Sequence, residues 1–170
     1  FDGSGNLFAG GNFTVSGRNA VNFISKWNGT AWSVPGSINY KGVNRQINAV
    51  AVDGTGKVYV AGDFTTAGGI VGLPGDPSAV YVAKWDGSSW SRFGTGLNDN
   101  AYAIAVDGSG NVYVGGRFTN AGGVAANYIA KWNGTAWSAL GAGMNNSVRA
   151  LTVDGSGNVY AGGDFTTAGG

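Results

Sequence analysis

The sequence predicts an all-β fold, built from small antiparallel sheets repeated along the chain. Three features predict it: a four-fold recurrence of the phrase DG(S/T)G(N/K), apolar and polar residues alternating at period two around each copy, and three tryptophan pairs, each five residues apart. No helix-period stretch is long enough to compete.

Asp2, Asp53, Asp107 and Asp154 open the four copies, and each leads after 11 residues to the Phe of a GxFT phrase: Phe13, Phe64, Phe118 and Phe165. From that Phe to the first Trp is 14 residues in copies one and three and 21 in copy two, where LPGDPSA at 73–79 is extra. The second Trp always follows after 5, and the next Asp after 17, or after 21 beyond Trp32. The basic unit is therefore 47 residues, a period that signals solenoids, propellers or arrays.

Strand signals choose among these. INAVAVD alternates and forms strand A, and DGSG is the tight turn after it, with Asp-Gly supplying positive-φ residues. KVYVAGDF is strand B and VYVAKW strand C. WNGTAW at 27–32 and 132–137, and WDGSSW at 85–90, are C-to-D hairpins with Asn-Gly or Asp-Gly at the bend, and a short strand D follows the second Trp. The two indoles can pack across neighbouring strands and against the next sheet.

Four short antiparallel strands per unit make the blade of a β-propeller, and 170 residues hold about three and a half such blades. The expected division is 1–46 for a first blade lacking most of strand A, 47–100 and 101–147 for two complete blades, and 148–170 for strands A and B of a fourth. Rings usually need about four to eight blades. Strand B occurs at both ends, as GNLFAGGNFT and GNVYAGGDFT, which argues against simple self-closure. The expectation is a segment of a longer array, or one of several chains assembling a ring, with further blades or other copies as partners. The opening FDGSGN carries no initiator Met or signal segment and reads as a cut or processed end.

The order Val-Tyr-Val-Gly-Gly at 112–116, an aromatic strand, then a turn closed by Trp137, resembles kelch-type repeats, in which a glycine doublet ends the second strand and spaced aromatics follow. Bacterial repeats of the GGxFT type are similar too. The resemblance covers essentially the whole chain and departs at the paired tryptophans and at Ala61-Gly62, which replaces the doublet. It implies a propeller serving mainly in binding, with enzymes a minority, and so implies fold more than chemistry.

Composition narrows the function classes. Charged residues are 11%, against about 25% in an average domain, and the net charge is +1 with no basic run, so neither a nucleic acid nor a polybasic membrane partner is expected. No apolar run approaches the ~18 residues of a membrane span. Cysteine and histidine are both absent, which excludes thiolate or imidazole chemistry and the usual zinc and copper ligands within these residues. The copper-oxidase members of the kelch-like group need such ligands and do not match.

The DGSGN phrase is similar to a calcium loop, with Asp, Ser and Asn oxygens two residues apart, yet Leu or Val stands at the sixth position and no Glu at the twelfth. It reads as a hairpin turn, and neither a metal nor a cofactor is expected. WDGSSW resembles the Asp-box of sialidase propellers, although Asp86 lies one residue too close to Trp90. Lys26, Lys84 and Lys131, recurring before the first Trp, read as packing and cation–π groups. Sequons begin at Asn12, Asn28, Asn133 and Asn145.

Topology gives the functional clue. In an up-and-down blade the A–B and C–D turns share one face and the B–C and D–A connections the other, and both length changes fall on the second face. Variable loops on a rigid scaffold are where binding concentrates. Residues that differ between copies gather there: Asn12, Asp63, Arg117 and Asp164 after the glycine pair, and Asn48, Tyr102 and Arg149 at the start of strand A. Tyr40, Arg45, Asp76 and Asp99 join them as candidate binding residues. The function expected is non-enzymatic binding of a protein or glycan by an extracellular or cell-surface protein. The alternatives are an architectural repeat forming an oligomer, sheath or filament, and part of a glycoside-processing enzyme using paired carboxylates.

Overall fold

The computed structural model describes residues 1–36, 42–68 and 81–169, all as strands, turns and bends with no helix. The LPGDPSA insertion, with Asp76, and Tyr40 lie outside the described residues.

Two four-stranded antiparallel meanders occupy the middle of the chain. One contains β6 (Ile47–Val52), β7 (Val58–Gly62), β8 (Val82–Trp85) and β9 (Trp90–Arg92), in that order. The other contains β10 (Ala101–Val106), β11 (Val112–Gly116), β14 (Ile129–Trp132) and β15 (Trp137–Ala139). Before them stands a three-stranded sheet of β1 (Leu7–Gly10), β4 (Ile24–Trp27) and β5 (Trp32–Ser33), and after them the pair β16 (Val148–Val153) and β17 (Val159–Gly163). These are the strands A to D expected from the repeat. The B–C connections of the first and third sheets carry small hairpins that the sequence reading did not anticipate: β2 (Val15–Ser16) with β3 (Asn19–Ala20), and β12 (Asn120–Ala121) with β13 (Val124–Ala125).

The DGSG turn differs from expectation in one respect. Positive φ falls on its second glycine (Gly5, Gly56, Gly110, Gly157), not on the Asp-Gly step. The Gly56 amide donates to the Asp53 carbonyl and the Asp53 amide to the Lys57 carbonyl, which makes a three-residue loop with a left-handed third residue. Each Asp carboxylate fastens the loop. Asp107 Oδ1 accepts from the Ser109 and Asn111 amides, and Oδ2 from Asn111 Nδ2 and the Tyr113 hydroxyl.

WNGTAW and WDGSSW join consecutive antiparallel strands, with Gly29, Gly87 or Gly134 as the positive-φ residue at the bend. The flanking tryptophans stand directly opposite one another, their ring centroids 5.4 to 5.6 Å apart. Across the gap to the preceding sheet, Trp137 Nε1 donates to the Phe93 carbonyl at 2.9 Å, and the Phe93 ring lies 5.6 Å from Trp132 and 6.0 Å from Trp137. Two of the three recurring lysines stack as expected: Lys26 lies over Phe8 and Lys131 over Tyr113.

The core lies between sheets. Strand β7 is buried along its whole length because Val58 and Val60 face one neighbour while Tyr59 and Ala61 face the other. The GxFT phenylalanines Phe64 and Phe118 are the largest fully buried side chains. The glycine doublet is explained by this stacking. A Cβ on Gly10 would lie 2.5 Å from Ile47 Cγ2, and one on Gly115 would lie 2.5 Å from Val148 Cγ1, both on strand A of the following sheet. Where the doublet is broken, Ala61 shares its buried cluster with Ala101, which takes the place of Ile47 and Val148. Gly against Val or Ile becomes Ala against Ala.

The linkers between sheets are fixed by an asparagine that the sequence reading missed. Asn44 Oδ1 accepts from the Thr65 and Thr66 amides and its Nδ2 donates to Thr65 Oγ1, while Asn98 and Asn145 repeat the arrangement at residues 119–120 and 166–167. Glycosylation at Asn145 would sever this clamp.

The complementary pairing yields a stability test. Ala101→Val alone should overpack the junction and destabilise by about 1–3 kcal/mol. Adding Ala61→Gly should recover most of that loss. Urea unfolding of the two single variants and the double variant measures the coupling.

Candidate binding rim

At the end of each sheet where strand A begins and strand B finishes, the ladder carries an irregularity. Ile47 pairs with Gly62 and Ala49 with Ala61, so Asn48 is an extra residue on strand A; Tyr102 and Arg149 are the corresponding extra residues in β10 and β16. These are β-bulges, which re-aim the inserted side chain. The bulge is legible afterwards in the apolar spacing, since Ile47, Val50 and Val52 change parity along the strand, as do Val148, Leu151 and Val153.

The residue just after strand B closes the same end through backbone hydrogen bonds: Asp63 to the Gln46 carbonyl, Arg117 to that of Asn100, and Asp164 to that of Ser147. The side chains then link along the rim. Asn48 Nδ2 donates to Asp63 Oδ1 at 2.8 Å and to the Ala101 carbonyl of the next sheet at 2.9 Å, while Gln46 Nε2 donates to Asn48 Oδ1. Arg117 holds Asp99 with two bonds of 3.0 and 3.1 Å. Arg149 holds Asp164 at 2.7 and 2.9 Å while its guanidinium lies 4.7 Å above the Tyr102 ring, so the third and fourth sheets meet in a cation–π contact.

Six of the eight expected binding residues are described. Asp63, Asp99, Tyr102, Arg117 and Arg149 fall within this chain of contacts. Arg45 is exposed on the preceding linker and makes no ion pair among the described residues. Tyr40 and Asp76 are outside them.

Sequence reasoning missed a second repeated feature of this rim. Phe23, Tyr81 and Tyr128, each one residue before strand C, have φ of 63°, 68° and 65°, in the region that bulky side chains avoid. Two backbone bonds hold each one: Gly62 donates to the Tyr81 carbonyl and Tyr81 to that of Phe64, and the other two sheets repeat the pattern. The strained aromatic is thus tied to the glycine adjoining Asn12, Asp63 or Arg117. The signal in the sequence was an aromatic at the same offset in all three copies.

Asp53, Asp86, Asp99 and Asp107 titrate low. Partial burial pushes Asp99 up, but the hydrogen bonds from Arg117 and the Asn100 amide outweigh it and hold it below the ordinary range. Burial likewise opposes, and turn hydrogen bonds overcome, in Asp53 and Asp107. At Asp86 the amides of Ser89 and Ser88 lower the value most. The Asp99 bond in turn raises Arg117. Among the described residues no three acidic side chains gather as a metal site would require.

A family profile described as a β-propeller repeat matches residues 90–120, which span β9, the third sheet's β10 and β11, and the start of β12. The chain carries a β-propeller repeat. No curated protein matches it.

Because these aspartates have depressed folded-state pKa values, they stabilise the fold above the unfolded value of about 3.9, and that contribution is lost as pH falls through the lower folded values. At neutral pH that contribution is complete, so the melting temperature should not change with pH through these groups there and should fall steeply below about pH 4. Asp107→Asn should flatten that acid limb in a pH series of thermal melts.

Proposed function

We propose that this propeller-repeat segment is a non-enzymatic binding unit of an extracellular or cell-surface protein, kelch-like in its repeat, and that it recognises a protein or glycan through the rim. One observation carries the reading: the same β-bulge, in three successive sheets, presents three different side chains, Asn48, Tyr102 and Arg149. The bulge turns these side chains out of the core, so they can differ without loss of packing and stand available to a ligand. The rim chemistry suits a polar ligand. Tyr102 offers an aromatic face, and each guanidinium keeps donors beyond the two N–H groups its aspartate engages.

Glycan-array screening, with protein-ligand screening by biolayer interferometry alongside, tests this. For any ligand found, Tyr102→Ala and Arg149→Ala should each weaken binding about tenfold, or ~1.4 kcal/mol. Ser109→Ala, on the opposite turn face, should change nothing. Retained affinity in both rim variants, with unfolding curves unchanged, would remove the rim from the explanation.

A further inference from the structure

We infer that the junction between the first sheet (β1, β4, β5) and the second (β6 to β9) is the hinge of this array, opening to solvent ahead of the junction between the second sheet and the third (β10, β11, β14, β15). The inference does not depend on rim recognition.

Trp90 and Trp137 hold the same place in the two junctions. Each is the second tryptophan of its cross-strand pair, opposite Trp85 or Trp132, and they are equally buried, at 6% and 7% exposed. Each ring lies against a positive-φ glycine: a Cβ on Gly68 would stand 2.6 Å from Trp90 Cδ1, and one on Gly122 would stand 2.3 Å from Trp137 Cδ1. Their indole nitrogens differ. Trp137 Nε1 donates to the Phe93 carbonyl, whereas Trp90 Nε1, equally removed from solvent, has no acceptor among the described residues. Buried N–H groups are rarely left unpaired, because their desolvation is then uncompensated.

The cause lies in the turn after strand D of the preceding sheet. Pro35 stands at the Phe93 position, three residues after the second tryptophan of its sheet. The Phe93 carbonyl accepts twice, from Trp137 Nε1 and from the Gly96 amide three residues on, both at 2.9 Å. The Pro35 carbonyl accepts from the Gly42 amide, seven residues on, at 3.3 Å. The turn reads PGSINYKG against FGTG, and the longer one does not bring its carbonyl to Trp90. Proline also removes an aromatic contact. Phe93 lies within 5.6 to 6.3 Å of Trp132, Trp137 and Tyr59, and Pro35 has no π face to offer Trp85 and Trp90. Both differences lie within residues 32–137, away from either end of the sequence.

The linker residues 42–44 belong with the second sheet. Val43 bridges to Ala67, the Gly68 amide donates to the Gly42 carbonyl at 2.7 Å, and Asn44 clamps Thr65 and Thr66. Two backbone bonds cross to the first sheet, from Val43 to the Asn22 carbonyl at 3.2 Å and from Ile47 to the Gly11 carbonyl at 3.5 Å, beside apolar contact around Ile24 and Ile47. Opening therefore parts the first sheet from the second ahead of Gly42 and wets Trp90, with the asparagine clamp left whole. At the next junction the same motion must also break the Trp137 bond and uncover Phe93.

The test uses the full chain. In nitrogen–proton correlation spectra, with the indole signals assigned from single Trp→Phe variants, the Trp90 N–H should exchange into heavy water about tenfold faster than that of Trp137. Replacing Pro35 by Phe and deleting residues 38–41, so that the turn reads FGSG, should bring the two rates together. Trp137→Phe should lower the urea midpoint more than Trp90→Phe does, since both lose the same ring area and only the first loses a bond. Exchange at Trp90 as slow as at Trp137, or equal losses of midpoint, would overturn the hinge, because the Trp90 N–H would then be bonded as firmly as its counterpart, through a water if not directly. The exchange comparison decides the matter even if the shortened chain fails to fold.

Discussion

The structure depends on burial that no single sheet can achieve. Strand β7 has its two faces in two different cores, one shared with the preceding sheet and one with the following. A lone four-stranded meander would leave both faces wet. The tryptophan pair makes the mutual dependence specific as well as apolar, because Trp137 spends its polar atom on the carbonyl of Phe93 in the sheet before it. The second and third sheets are therefore held by a directed hydrogen bond inside a hydrophobic contact. Removing either sheet strands a polar group and uncovers aromatic area together.

Much of this was legible beforehand because period and turn chemistry are local. Constant spacing from Asp to Phe and from Trp to Trp encodes strands of fixed length between fixed bends, and those strands are the ones found. The glycine that takes positive φ in DGSG was misplaced because Asp-Gly is a good two-residue turn in isolation; the observed loop is one residue longer and moves the requirement to the second glycine. The asparagine clamps and the strained aromatics were harder to foresee. Asn44 acts on Thr65 and Thr66, 21 and 22 residues away, and Tyr81 is held by residues of another strand. Such contacts exist only once the sheets have stacked.

Strand topology implied that residues 48, 102 and 149 share one end of the sheets, while the bulge found at each of them was not foreseen. Alternation was read as continuous along strand A, yet the inserted residue at 48, 102 and 149 breaks it. That break is what turns a variable side chain away from the core and permits its variation without loss of packing. Stability and diversity are thereby assigned to neighbouring residues of one strand.

The matched Gly–Ile, Ala–Ala and Gly–Val contacts bear on how such a chain can change over evolutionary time. Each half of a contact belongs to a different repeat, so excising the third sheet as a block would bring Ala61 against Val148 and crowd the seam. Recombination that preserves packing must cut inside a repeat, between strands, and carry both halves of a seam together. The heritable module is then the junction between two sheets.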